Sequence, residues 1–201
     1  MSAAGFASVK PTRGFPDARH GLRRRGEGFS SMRRLILFRH AKTAPRAPDQ
    51  GDIDRPLTER GIKDSAQMAE RLAREGLAPD LVLMSPSVRT RQTWSYAAPA
   101  FPKARVELVQ AIYEASVDDL TAVLADASPD ADTVMVIGHN PGIQELAVTL
   151  LIEGSAAARH VEQLEAGFPT AAAAAFLIDA DGRAAFDGVF SPKDFATGES
   201  A

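Results

Sequence analysis

The chain has 201 residues and a formal net charge of −3; 45% of it is hydrophobic, 24% is charged, and it contains no cysteine. That is enough for one domain with a sizeable core and short for two, and the charge balance gives no reason to expect nucleic-acid binding by the chain as a whole. The lack of cysteine excludes disulfides, thiol catalysis and Cys-based metal sites, and no apolar run approaches the roughly 18 residues that read as a membrane span, so the expected compartment is the cytoplasm.

Residues 1–31, MSAAGFASVKPTRGFPDARHGLRRRGEGFSS, stand apart, with Gly, Ser, Pro and Arg in excess and no apolar period. They read as a disordered tail or a mis-called start, with Met32 the true one. The competing reading is a targeting or nucleic-acid-binding arm. An Arg-rich, acid-poor leader suits organelle import, whereas a secretory signal would need an apolar stretch that is missing.

From Met32 strands and helices alternate. Arg33–Phe38 reads as a buried strand. Thr58–Glu75 reads as a helix with Ile62, Ala66, Ala69 and Leu72 on one face, Thr58 as N-cap and Gly76 just past its end. Leu81–Met84 is a second strand, followed by a helix that Ser85 caps and Pro86 opens. Val106–Val109 is a third strand, Val117–Ala127 a helix started near Ser116, Thr133–Ile137 a fourth strand, and Pro141–Glu153 a helix. Ala172–Ile178 and Arg183–Val189 form a last pair of strands through the Asp181-Gly182 turn. The stretch 154–169 gives no clear signal. The pattern predicts a three-layer α/β/α sandwich around a mostly parallel sheet, with an antiparallel strand near the C-terminal end. The domain is expected over 32–195, with 196–201 a flexible C-terminus.

Ligands bind beyond the carboxyl ends of strands in such a sheet. Here the first strand ends in Arg39-His40, the second runs into Ser85-Pro86-Ser87-Val88-Arg89, and the fourth ends in Gly138-His139-Asn140-Pro141. Two arginines and two histidines thus converge from three separate segments. An arginine fork grips two oxygens of a phosphoryl group and stays charged. The helix start after Ser85 adds backbone N–H groups that favour an anion. Arg89 is preferred over Arg91 because Gln92 and Thr93 share its helix face. A histidine with one nitrogen held can attack phosphorus with the other, the role expected of His40. His139 would donate to the transferring group, and Thr43 would add a hydroxyl. For the general acid, Glu114 follows the third strand in the right layer, with Asp118 and Asp119 as rivals. His20 and His160 read as solvated, and Asp49, Asp52 and Asp54 as a solvated acidic loop.

These motifs resemble the histidine phosphatase superfamily. LFRHAKT is similar to its RHG signature, with Ala41 in place of the usual glycine. DRPLTERG, Asp54–Gly61, is similar to its helix entry; LVLMSPSVRTRQT to its second-arginine motif; and VIGHNPG to its second-histidine motif. The four come in the family's order, and the short core from Met32 to Phe195 resembles the SixA-type phosphohistidine phosphatases. The resemblance implies a metal-independent phosphatase working through a phosphohistidine on His40, with Arg39, Arg89 and His139 binding the phosphoryl group and no cofactor. The implied substrate is a phosphorylated protein, such as a histidine phosphotransfer domain, or a small phosphorylated molecule, with no nucleic-acid or membrane partner.

Other readings stay open. A metal-dependent hydrolase built on His40 and His139 lacks the usual HxH or HExxH spacing and would set two arginines beside a cation. The pocket could bind phosphate or phosphoprotein without turnover. A phosphomutase would need a lid to exclude water, and the short loops give little material for one.

Overall fold

The computed structural model describes residues 32–127 and 130–192. The expected tail at 1–31, the C-terminus at 196–201 and the last residues of the expected domain lie outside them. Six strands form one sheet: β1 Arg34–Arg39, β2 Leu81–Met84, β3 Arg105–Leu108, β4 Thr133–Gly138, β5 Ala173–Ile178 and β6 Ala184–Phe190, in the order β3-β2-β4-β1-β5-β6. β5 runs antiparallel to both β1 and β6, while the pairs β1–β4, β2–β4 and β2–β3 are parallel. The sheet is therefore parallel apart from one reversed strand near the C-terminus, as expected.

Among the described residues five α-helices cover the two faces: α1 Glu59–Arg74, α2 Val88–Ala97, α3 Val117–Ala125, α4 Gly142–Glu153 and α5 Ala158–Ala166. The strand side chains sort them by alternation. Ile36 and Phe38 of β1 and Met135 and Ile137 of β4 share one core with Met68, Leu72 and Trp94 of α1 and α2. Leu35, Leu37, Val134 and Val136 share the other with Leu120, Leu146, Leu150 and Leu164 of α3, α4 and α5. Burial on both faces is why the central strands read as unbroken apolar runs.

Thr58 caps α1 by accepting from the Gly61 N–H, and Gly76 follows that helix at φ 72°. A Cβ on Gly61 would lie 2.2 Å from the Lys42 carbonyl oxygen. That explains the glycine in DRPLTERG, since the first turn of α1 abuts the chain leaving β1.

Two expectations need correction. The cap of α2 is Ser87, whose hydroxyl accepts from the Thr90 N–H. The Ser85 N–H is still engaged with the Ile137 carbonyl at the sheet end, so the helix begins later than the Ser-Pro signal suggested. The unassigned stretch 154–169 contains α5. That helix has no side-chain cap and only Leu164 buried, which left neither a start signal nor an apolar stripe to read.

Candidate active site

The floor of the site is the carboxyl end of β1. The His40 N–H donates to the Gly138 carbonyl of β4, and the His40 carbonyl accepts from Ala171 N–H. Both flanking segments thus hold the backbone of the residue. The Ala41 N–H donates to Thr93 Oγ1 at 3.0 Å, and that hydroxyl donates to the Arg89 carbonyl. α2 is thereby tied to the turn carrying His40. A Cβ on Gly138 would come within 2.9 Å of Ile143, so the glycine lets α4 close against the end of β4.

His40 is buried, and its Nδ1 lies 2.8 Å from the Ala41 carbonyl oxygen. A carbonyl only accepts, so Nδ1 carries the proton and Nε2 keeps its lone pair. Burial first, then the positive charges of Arg89, Arg39 and Arg55, push the pKa down to about 4, against the pull of that backbone bond. The imidazole is therefore neutral at neutral pH.

His139 lies beside it, with ring centroids 5.1 Å apart. Arg89 Nε donates to His139 Nδ1 at 3.1 Å. Guanidinium nitrogens only donate, so the His139 proton is on Nε2, which sits 2.9 Å from Ser85 Oγ and donates to it. Burial and the neighbouring positive charges push this pKa down to about 3, with Asp52 opposing. Arg39 hangs from the same floor. Its Nη1 donates to the Phe168 carbonyl, while its buried Nε has no hydrogen-bond partner among the described residues. An open pocket of about 440 Å³ lies beside Arg39, bounded by Asn140, Gln144, Gln163 and residues 166–169.

The wall of the site was not read from the sequence. Asp52, expected in a solvated loop, pairs with Arg89: its Oδ2 is 2.9 Å from Arg89 Nη2, and its carbonyl accepts from Nη1 at 2.6 Å. Arg55 donates to Asp52 Oδ1 at 3.0 Å and to Thr43 Oγ1 at 2.8 Å. The bond from Arg55, with the charge of Arg89, holds the Asp52 carboxyl below its ordinary range against the pull of burial. Tyr113 closes the far side, edge-on to the His139 ring at 5.5 Å and with its ring 5.7 Å from Arg89 Cζ. The structure therefore brings Arg39, His40, Arg89 and His139 together, with Thr43 joined through Arg55. It leaves Glu114 solvent-exposed at φ 56°, next to Tyr113, with no hydrogen bond or ion pair to the histidines or arginines among the described residues. His160 is only partly exposed, its ring packed 4.5 Å from that of Phe186.

A solved structure described as a putative phosphohistidine phosphatase SixA from Agrobacterium tumefaciens is 30% identical, with a TM-score of 0.70, over 80% of this chain and 99% of that one. The chain belongs to the histidine phosphatase superfamily. The model of that superfamily's branch 1 matches residues 35–128, and the structural likeness places the chain with the SixA-like branch. A structure described as the protein histidine phosphatase SixA complexed with tungstate is 26% identical, with a TM-score of 0.66, over 81% of this chain and 99% of that one. An uncharacterised chloroplastic protein of Arabidopsis thaliana is 36% identical over 131 residues. That match spans 60% of each chain, so this chain corresponds to about three-fifths of the plant protein's length. Membership and the SixA neighbours support phosphatase activity.

In this member of the superfamily the residues at the strand ends match the motifs that carry the family resemblance, whereas Tyr113 lies outside them. Its signal was an aromatic residue one position before Glu114, in a turn already assigned to the site layer. Asp52 and Arg55 had a signal too: Arg55 lies inside the helix-entry motif DRPLTERG and Asp52 two residues before it.

Proposed function

We propose that this protein is a phosphatase that works through a phosphohistidine on Nε2 of His40 without a metal, and that its substrate is a phosphohistidine borne on a protein. The observation that carries the reading is the His40 tautomer. The Nδ1–H is spent on the Ala41 carbonyl, which leaves a neutral nitrogen with a free lone pair in a ring flanked by the arginine-held His139. The Nε2 lone pair attacks phosphorus in line as the bond to the leaving group breaks, and water then cleaves the P–N bond. Arg39 and Arg89 hold the non-bridging oxygens. An entering phosphoryl oxygen competes with Ser85 for the Nε2–H of His139, which stabilises charge in the transition state. The buried, unpartnered Arg39 Nε is a donor of the kind a phosphoryl oxygen satisfies. The neighbour holding tungstate, an oxyanion, supports an anion site in this fold.

The open pocket beside Arg39 supports a second reading, a small phosphorylated molecule as substrate. No helix among the described residues is long and apolar enough to cross a membrane, and we place the enzyme in the cytoplasm. Localising a tagged full chain tests that placement.

The test of function is turnover in excess chelator, with a phosphohistidine-bearing protein and an aryl phosphate as rival donors. Chelator-resistant turnover favouring the phosphoprotein supports the reading. Preference for the small donor selects the second reading. Turnover that needs added metal overturns the mechanism, and phosphate binding without turnover points to a binding module.

A further inference from the structure

The notable residue outside the family motifs is a carboxylate set against the phosphoryl-binding arginine. The Arg89 guanidinium donates from Nε to His139 and from Nη1 to the Asp52 carbonyl, and its Nη2 pairs with the Asp52 carboxylate. The carboxylate thus adds a negative charge to an arginine that two neutral acceptors already engage. The Asp52 side chain is 39% exposed where that of Arg89 is 7% exposed, which puts it between the buried arginine and solvent. Tyr113 Oη lies 3.4 Å from the same carboxylate oxygen. Asp52 therefore sets a carboxylate against the arginine that grips the phosphoryl group, at the margin of the site.

The rival carboxylates are less well placed. Glu114 is exposed and makes no hydrogen bond or ion pair to the cluster among the described residues. The Asp119 carboxylate is taken up by the backbone and hydroxyl of Ser116 in a capping box. Asp118 is exposed on α3.

We propose that Asp52 is the proton donor to the leaving group and the proton acceptor for the hydrolytic water, a role that rests on the phosphatase reading above. In the empty site Asp52 is ionised beside two arginines. A phosphate monoester entering as its monoanion contests Arg89 and brings like charge beside the carboxylate, which favours movement of the substrate's proton onto Asp52. In the first step the Nε2–P bond forms and the bond from phosphorus to the ester oxygen breaks. That oxygen takes the proton from Asp52 and leaves as an alcohol. In the second step water attacks phosphorus, the P–Nε2 bond breaks, and the water proton passes to Asp52 as inorganic phosphate forms. The chemical consequence is that the site is equipped for esters with poor leaving groups as well as for phosphoramidates.

The experiment compares kcat/KM on an alkyl phosphate with that on p-nitrophenyl phosphate, whose leaving group needs no proton. Asp52→Asn is expected to lose about 100-fold on the alkyl substrate and less than about 3-fold on the aryl one. Asp52→Glu, which keeps the carboxyl, is expected to recover most of the alkyl rate. Glu114→Gln is expected to show no dependence on the leaving group. Equal losses of Asp52→Asn on both substrates would reduce Asp52 to a structural role and overturn the inference. So would a wild-type enzyme inert toward alkyl phosphates, or a leaving-group-dependent loss in Glu114→Gln. If the wild type forms no phosphohistidine even from the aryl substrate, the phosphatase reading itself fails, and this inference falls with it.

Discussion

Arg39, His40 and His139 stand at the ends of strands whose backbones are hydrogen-bonded to their neighbours, whereas Asp52 and Arg55 stand in or beside a single short turn, Asp52–Asp54, held by side-chain bonds. The floor owes its geometry to burial: LILF cannot move without disturbing both cores, so the groups at its end are aimed by the whole sheet. The wall owes its geometry to charge pairs at the surface, which are weaker and screened by salt. Substitutions in the floor should therefore act on attack at phosphorus whatever the leaving group, and loss of the Asp52 carboxyl in the wall should act where the leaving group needs a proton.

The comparison is sharpest at Arg89, where floor and wall meet. Arg89→Lys removes both the fork and the Nε–H that sets the His139 tautomer. It is expected to lower kcat by about 10²–10³-fold, measured by steady-state kinetics on an aryl phosphate. A loss confined to KM would show that Arg89 only binds.

The wall can be displaced without touching a charged group. Gly61→Ala would press a methyl against the Lys42 carbonyl. It is expected to lower stability by about 1–3 kcal/mol and to weaken phosphate binding, measured by thermal melts and by phosphate titration. An unchanged melt would mean the helix entry yields more easily than the contact implies.

A smaller change isolates one hydrogen bond. Ser85→Ala leaves the His139 Nε2–H buried without its acceptor, at a cost of about 1–3 kcal/mol in the empty enzyme. A phosphoryl oxygen can take that place, so added phosphate is expected to restore more of the melting temperature in this variant than in the wild type. Equal restoration would mean His139 does not reach the anion.

The mildest probe is pH. Burial favours the neutral form of His40 and His139, so their folded pKa values, about 4 and about 3, lie below the unfolded value near 6.5. Between those values the unfolded chain binds more protons. The stability these residues contribute is full above about pH 6.5 and is lost as pH falls through the folded values. Imidazole titration by NMR is expected to find His40 with a midpoint near 4. A midpoint near 6.5 would mean the ring is solvated.

The floor was legible in the sequence because a buried strand that ends in Arg39-His40 breaks a rule of burial, and a broken rule is a signal. The order of strands and helices was legible for the same reason, since LILF, LVLM and VMVI are apolar on both faces. The start of α2 was misread because Ser85 and Ser87 both precede a helix, and only the sheet shows that Ser85 is still engaged there. α5 was missed because ARHVEQLEA is polar on most sides and uncapped. Asp52 was taken for a solvated acid because its partner Arg89 lies 37 residues away, a pairing that only the tertiary fold creates. Glu114 was chosen by position after a strand, and its exposed side chain shows how little that position alone determines.

The most direct measurement is to trap the phosphoenzyme. The protein is mixed with a labelled phosphoryl donor in excess chelator, quenched at alkaline pH and mapped by peptide mass. The account predicts an acid-labile, base-stable label on His40, absent from His40→Ala, whose turnover falls by about 10⁴-fold or more. Label on another residue, or undiminished turnover in His40→Ala, would contradict it.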